Sequence, residues 1–341
     1  MSDPLLSVRD LVVDIVADED RRLRVVDGVS FDVGRDEVLG VVGESGSGKT
    51  ITMLAIMGLL PPGRALVTAG EVRLEGEDLL RLSWESLRAL RGKRLAMIFQ
   101  DPMTSLNPVL GVGGQIGEII ASHRPELSAG AIRERVIELL ELVGVPDPAR
   151  RYRQFPHEFS GGMRQRAMIA MAVANEPSLL VADEPTTALD VTIQAQILEV
   201  LAKVRARTGA SMILVTHDLG LVAETADRVA VMYGGRIVER GDAEAIFARP
   251  AHPYTVGLLR SLPRFDTAVE SLYSIPGQPP AVGAWPSGCV FHPRCGLGGT
   301  RPICVDRVPD MRALAATHAA ACHFTQETAA WAERTAAASG S

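Results

Sequence analysis

Gly43-Glu44-Ser45-Gly46-Ser47-Gly48-Lys49-Thr50 lies between an apolar run, Val38-Leu39-Gly40-Val41-Val42, and a helix-like segment over residues 51–60 that stops at Pro61-Pro62-Gly63. Strand, glycine-rich turn and helix are the setting of a phosphate-binding loop, and every fixed position of the G-x-x-x-x-G-K-S/T pattern is filled. Glycines let consecutive backbone N–H groups turn toward a polyphosphate, and the helix N-terminus adds a favourable dipole. Lys49 has the length and charge to reach the β- and γ-phosphates, and Thr50 has a hydroxyl for Mg2+. The stretch predicts a nucleotide site made of Gly43, Glu44, Ser45, Gly46, Ser47, Gly48, Lys49 and Thr50.

The 341 residues leave room for about two domains. Hydrophobic residues are 47%, enough for a sizeable core, but aromatics are only 4%, so that core must rest on Leu, Val, Ile, Ala and Met. A net charge of −6 argues against non-specific nucleic-acid binding, and no nucleic-acid partner is expected. No apolar stretch approaches the ~18 residues needed to span a bilayer, and Met1-Ser2-Asp3-Pro4 opens without a basic region or signal core. The expectation is a cytosolic chain that can dock on a membrane protein.

Outward from the loop, alternating apolar positions predict strands over residues 6–15 and 23–33, separated by a charged turn at 18–22. A short strand at 70–74, an amphipathic helix at 79–90 and a strand at 95–99 ending at Gln100 follow. Residues 101–159 turn mostly helical, clearest at 131–143, and read as a helical subdomain (about 101–165) inserted in an α/β core. The core resumes with helix 163–175, strand 179–182, helix 192–207, strand 212–215 and a hairpin, 227–233 and 236–240, around Gly234-Gly235. Strands alternating with helices argue for a parallel sheet covered on both faces.

Composition shifts at Pro250. Ten of the 21 prolines fall in residues 250–309, which leaves few long helices or central strands. Something other than a hydrophobic core must then hold this segment. The division expected is 1–250 as nucleotide-binding domain, 251–330 as a small Pro- and Cys-rich C-terminal domain, and 331–341 as a disordered tail.

Other signals flank the loop. Leu179-Leu180-Val181-Ala182-Asp183-Glu184 reads as a buried strand with carboxylates at its C-terminal edge, Asp183 for Mg2+ and Glu184 to orient or deprotonate an attacking water. Phe159-Ser160-Gly161-Gly162-Met163-Arg164-Gln165 opens a second helix N-terminus suited to an anion. Gln100 ends an apolar strand where it could meet the metal or its water, and His217 follows another where it could touch a γ-phosphate. Thr187-Ala188-Leu189-Asp190 completes the series.

In this order and at these separations, the set resembles the ATP-binding cassette (ABC) ATPases over about residues 5–248. The resemblance implies an α/β P-loop NTPase with a parallel sheet core, an N-terminal antiparallel β subdomain and an inserted helical subdomain. It also implies that ATP is sandwiched between two cassettes placed head to tail. Ser160, Gly161 and Gly162 would then act on ATP held by the partner's loop. Glu184 would be the catalytic carboxylate, His217 the switch residue, Gln100 the link to the transport subunit and a Mg2+ contact, and Asp190 a cross-interface contact. Met163 departs from the Gln common in that signature. Residues 11–30 lack the aromatic on which many cassettes stack adenine, so the base needs an aliphatic or Arg platform, for instance around residues 22–26.

Gln100-Asp101-Pro102-Met103-Thr104-Ser105-Leu106-Asn107-Pro108, Pro250-Ala251-His252-Pro253-Tyr254-Thr255 and Gly288-Cys289-Val290-Phe291-His292-Pro293-Arg294-Cys295 resemble the peptide and nickel importer branch. That resemblance implies an ATPase driving import of di- or oligopeptides, peripheral on the cytoplasmic face of the inner membrane. Its implied partners are two transmembrane permease subunits, a second ATPase subunit that is often a paralogue, and an extracytoplasmic peptide-binding protein. A nickel importer ATPase of the same family and a soluble cassette ATPase uncoupled from transport are the alternatives.

All four cysteines, Cys289, Cys295, Cys304 and Cys322, fall in the last 53 residues with spacing C-x5-C-x8-C-x17-C. Clustering in a cytosolic chain favours metal ligation over disulfides. Without a C-x-x-C knuckle, a 4Fe–4S cluster, zinc and metal-free thiols all stay open. The family resemblance implies the iron–sulfur cluster, in a structural role that would replace a missing core.

Overall fold

The structure, a computed structural model, describes residues 3–18, 21–101, 105–187, 189–262 and 273–337. Part of the expected turn at 18–22, Pro102-Met103-Thr104 of the expected transport link, Ala188 and residues 338–341 lie outside them. The chain forms two compact units: Met1–Leu5, Val33–Asp36 and Asp78–Val215 in the first, Leu6–Asp32, Glu37–Glu77 and Thr216–Ser341 in the second.

In the first unit, strands Leu95–Ile98, Leu179–Asp183 and Ser211–Thr216 pair in parallel, Leu95 opposite Leu179 and Leu179 opposite Ser211. Every residue of the three is buried. Strands covered on both faces need apolar side chains at consecutive positions, which is why these runs show no polar alternation. Helices Val112–His123 and Ala129–Leu142 make up most of the inserted helical region. The second starts two residues before its apolar pattern does, because the Ser128 hydroxyl accepts from the Ala131 N–H at 3.2 Å. The single helix expected at 79–90 is broken instead. Asp78 caps a 3-10 turn, Leu79–Arg81, and Ser83 caps a new helix, Trp84–Leu90. Two adjacent caps outweigh a continuous apolar stripe.

In the second unit, the N-terminal sheet has the order Arg21–Val33, Leu6–Asp18, Ala65–Leu74, Glu77–Asp78. Leu6 faces Leu74 and Ile15 faces Ala65 across an antiparallel pair, so the strand expected at 70–74 runs twice as far. Val38–Val42, fully buried, pairs in parallel with Arg228–Tyr233. Arg236–Asp242 returns antiparallel through Gly234-Gly235, whose φ values of 56° and 74° are the two positive angles of a tight two-residue turn.

The C-terminal segment departs most from expectation. A hydrophobic core does hold it, shared with the strands of the second unit. Ala319–Ala320 pairs with Glu239 and Arg240 of the hairpin, and Arg312–Ala313 adds a further short strand. Tyr254, Ile275, Cys289, Val290, Phe291 and Cys304 share one buried cluster with Val42, Val231, Tyr233 and Val238. Prolines bar long elements but leave short apolar segments free to pack on an existing sheet. The expected tail is also shorter, since Thr325–Ala337 is a helix.

Candidate functional site

The phosphate loop leaves the buried strand Val38–Val42 and enters helix Lys49–Met57. Gly43 is forced by space: a Cβ there would fall 2.2 Å from the Met232 carbonyl oxygen. Gly48 is forced by conformation, with φ of 101°, and serves as N-cap without any side-chain bond to the first helical amides. A helix N-terminus capped by glycine presents its dipole and backbone N–H groups on the side from which an anion would approach. Lys49 is buried, and its Nζ donates to the Gly43 carbonyl at 2.7 Å and the Glu44 carbonyl at 3.1 Å. Ser47 Oγ is buried without a hydrogen-bond partner, an orphan that a phosphate oxygen would satisfy. Thr50 is half-buried beside it in sequence. These groups fit a nucleotide polyphosphate.

Glu44 behaves differently from its neighbours. Its carboxylate is taken by Arg294 and its backbone N–H donates to the Tyr254 hydroxyl at 2.8 Å. Sequence reasoning missed both partners, although the motifs that contain them were in view. They had no assigned chemistry, and they lie 210 and 250 positions from Glu44.

In the first unit, Asp183 ends its strand buried, and Glu184 continues the pairing by donating its N–H to the Val215 carbonyl at 2.8 Å. Glu184 has a φ of 47°, a left-handed conformation rare for a residue with a Cβ, and the surrounding bonds hold it there. Its Oε2 accepts from Gln100 Nε2 and from Thr187 Oγ1, each at 2.9 Å. Gln100 and Glu184, separate signals in the sequence, are thus one hydrogen-bonded pair. Asp183 and Gln100 offer hard oxygen donors of the kind Mg2+ prefers, as does Thr50 in the other unit.

Ser160 caps helix Gly161–Ala172, its Oγ accepting from the Met163 N–H at 3.3 Å. Gly161 is exposed, with open space where a Cβ would stand. Buried Gln165 ties this helix to the turn after Glu184, donating to the Pro185 carbonyl at 2.7 Å. Asp190 caps helix Val191–Thr208 through the Ile193 N–H at 3.0 Å. His217 is exposed just past its strand, in the second unit with the phosphate loop.

The backbone around residues 22–26, where the base was expected, lies under a C-terminal aromatic. Trp285 Nε1 donates to the Arg24 carbonyl at 2.8 Å, and Val282 borders Gly46.

The four cysteines line one small cavity of about 10 Å3 with Phe291, His292, Leu297 and Phe324. No disulfide joins them. Burial pushes the thiols up, Cys289 to about 11 and Cys322 to about 12, with Cys295 and Cys304 raised as well. The donor set suits a soft metal or cluster, but among the described residues no three of His, Cys, Asp and Glu are spaced to hold a metal ion. The expected 4Fe–4S or zinc centre is not borne out by this geometry.

Residues 26–187 match the family described as "ABC transporter", and residues 238–304 match "Oligopeptide/dipeptide transporter, C-terminal region". The dipeptide transport ATP-binding protein DppD of Bacillus subtilis is 50% identical over 308 residues, 90% of this chain and 91% of that protein. The protein of the same name from Escherichia coli is 50% identical over 326 residues, 95% of this chain and 98% of its own. The chain belongs to the ABC ATPases with the oligopeptide/dipeptide C-terminal region. Among solved structures, the dimeric post-hydrolysis state of the ATP-binding cassette MJ0796, bound to ADP and Pi, superposes with a TM-score of 0.62 at 26% identity, covering 70% of this chain and 98% of that one. For an ABC ATPase the ligands are ATP and Mg2+. The cassette's described helices include none long and apolar enough to cross a membrane.

Proposed function

We propose that this cassette hydrolyses ATP to power import of di- or oligopeptides through separate permease subunits, docked on the cytoplasmic face of the inner membrane. The observation that carries the reading is the buried, unpartnered Ser47 Oγ in a glycine-rich loop that enters a helix, in a chain half identical to two dipeptide transport ATP-binding proteins. Lys49 and the loop amides hold the polyphosphate. Thr50, Asp183 and Gln100 are the residues that would hold Mg2+, which would supply charge neutralisation. Glu184, oriented by Gln100 and Thr187, accepts a proton from the attacking water, whose oxygen bonds to the γ-phosphorus as the bond to the ADP oxygen breaks. Ser160, Gly161, Gly162 and Asp190 are exposed or half-exposed at helix starts, where a second cassette, the same chain or a paralogue, brings its own nucleotide. His217 reads the γ-phosphate. An extracytoplasmic binding protein delivers the peptide.

The decisive test is reconstitution with the permeases in vesicles. Glu184→Gln should retain ATP binding yet lose hydrolysis and peptide uptake by about 100-fold or more. Wild-type hydrolysis by that variant, or ATP turnover that drives nickel and no peptide, sinks the reading.

The cysteine cavity belongs to the proposal too. Four cysteines lining one pocket are the ligand set that a structural 4Fe–4S cluster, or zinc as the alternative, would need, and their thiols would have to draw closer together to hold it. Protein prepared without oxygen should contain iron and acid-labile sulfide. Absence of these and of zinc removes the centre.

A further inference from the structure

Glu44 is held at three points at once. Lys49 Nζ takes its carbonyl, Tyr254 Oη accepts from its N–H at 2.8 Å, and Arg294 grips its carboxylate in a two-pronged pair of 2.6 and 3.1 Å. Arg294 is itself fixed, donating from Nε to the Pro276 carbonyl at 3.0 Å and from Nη1 to the Tyr233 hydroxyl at 3.3 Å. Its side chain is only 5% exposed, against 27% for Glu44. Tyr233, Tyr254 and Phe291 pack face and edge, with ring centroids 4.6 to 5.3 Å apart, behind the guanidinium. Burial, with the Glu44 carboxylate as a lesser cause, pushes the Tyr254 pKa up, so its oxygen stays a hydroxyl.

We infer that Arg294 and Tyr254 are positioning residues of the nucleotide site: the C-terminal segment holds the phosphate loop in shape and neutralises its one carboxylate. A loop that receives a polyphosphate gains nothing electrostatically from an acid at its second position. Paired with Arg294, that acid becomes an anchor; unpaired, it opposes the ligand. Tyr254 fixes the Glu44 peptide plane, and with it the carbonyl that Lys49 holds before nucleotide arrives.

This rests on the ATP-binding reading, so the assay first asks whether wild-type chain binds Mg2+ with N-methylanthraniloyl-ATP by fluorescence. No binding there overturns the functional reading itself. Given binding, Arg294→Gln should weaken it about tenfold, the partial loss of one charge-assisted pair. Adding Glu44→Gln to that variant should return affinity to within about threefold of wild type, because no bare carboxylate remains. Unchanged affinity in Arg294→Gln, or a double variant as weak as the single one, overturns the inference. Should Arg294→Gln fail to fold, Tyr254→Phe keeps the buried ring and removes only the oxygen. It should weaken binding about threefold in a chain that still folds, its melting point lower by only a few degrees, and wild-type affinity there overturns the inference equally.

Discussion

Glu239 is the fully buried carboxylate that joins the hairpin to the C-terminal segment. Its Oε1 accepts from the Ala251 N–H at 2.6 Å and pairs with His318 Nε2 at 2.8 Å, while Oε2 accepts from the His252 N–H at 2.9 Å. Glu239→Gln replaces one of those oxygens with an amino group. Whichever way the amide turns, one donor faces another donor. The change forfeits one charge-assisted bond, about 1.5–3 kcal/mol, and strands a buried N–H at about 1–3 kcal/mol. A local cost near 3 kcal/mol corresponds to roughly a hundredfold rise in the opening equilibrium of whatever Glu239 holds. Ala319–Ala320 pairs beside it on the same strand, and Ala321 N–H donates to the Val238 carbonyl at 2.8 Å. Hydrogen exchange followed by mass spectrometry should therefore show amides around 319–321 exchanging about a hundredfold faster in the variant, with Leu179–Asp183 unchanged. Less than a threefold change at 319–321 would refute the claim that this carboxylate clamps the segment.

His252 yields a pH dependence. Burial holds its pKa down to about 3, and its Nδ1 accepts from the Tyr254 N–H, which requires the neutral ring. With an unfolded value near 6.5, its stabilising contribution is complete above that pH. It is lost as pH falls toward 3, about 2 kcal/mol by pH 5. Thermal melts from pH 7 to pH 5 should show that slope, and His252→Asn should flatten it. Gly43→Ala places a methyl 2.2 Å from the Met232 carbonyl oxygen, so nucleotide binding should fall at least tenfold by the same fluorescence titration; an unaffected Kd would mean the loop relaxes freely. Gln100→Ala and Thr187→Ala each remove one bond to Glu184 Oε2 and should lower the hydrolysis rate about tenfold, with ATP affinity near wild type in Thr187→Ala, whose side chain holds no metal.

The helix starts and the phosphate loop were legible in the sequence because they are local. Gly48, Ser160 and Asp190 act within three or four residues of themselves, and a glycine forced by a turn or an oxygen capping the next amides needs no distant partner. The buried strands 95–98, 179–183 and 211–216 were legible for a related reason, since covering on both faces imprints an uninterrupted apolar run. What needed the folded chain was every contact whose partners stand far apart along it. Gln100 with Glu184, Glu239 with His318, and Glu44 with Tyr254 and Arg294 span 79 to 250 positions, and no periodicity records such pairs. The proline-rich segment is the sharpest instance. Among its described residues up to 309 the elements are short, as the prolines require, yet what they pack against depended on a surface elsewhere. Tertiary structure supplied that surface as a hairpin edge and an aromatic cluster behind the phosphate loop, and burial against it gave the segment a core that its own sequence could not build.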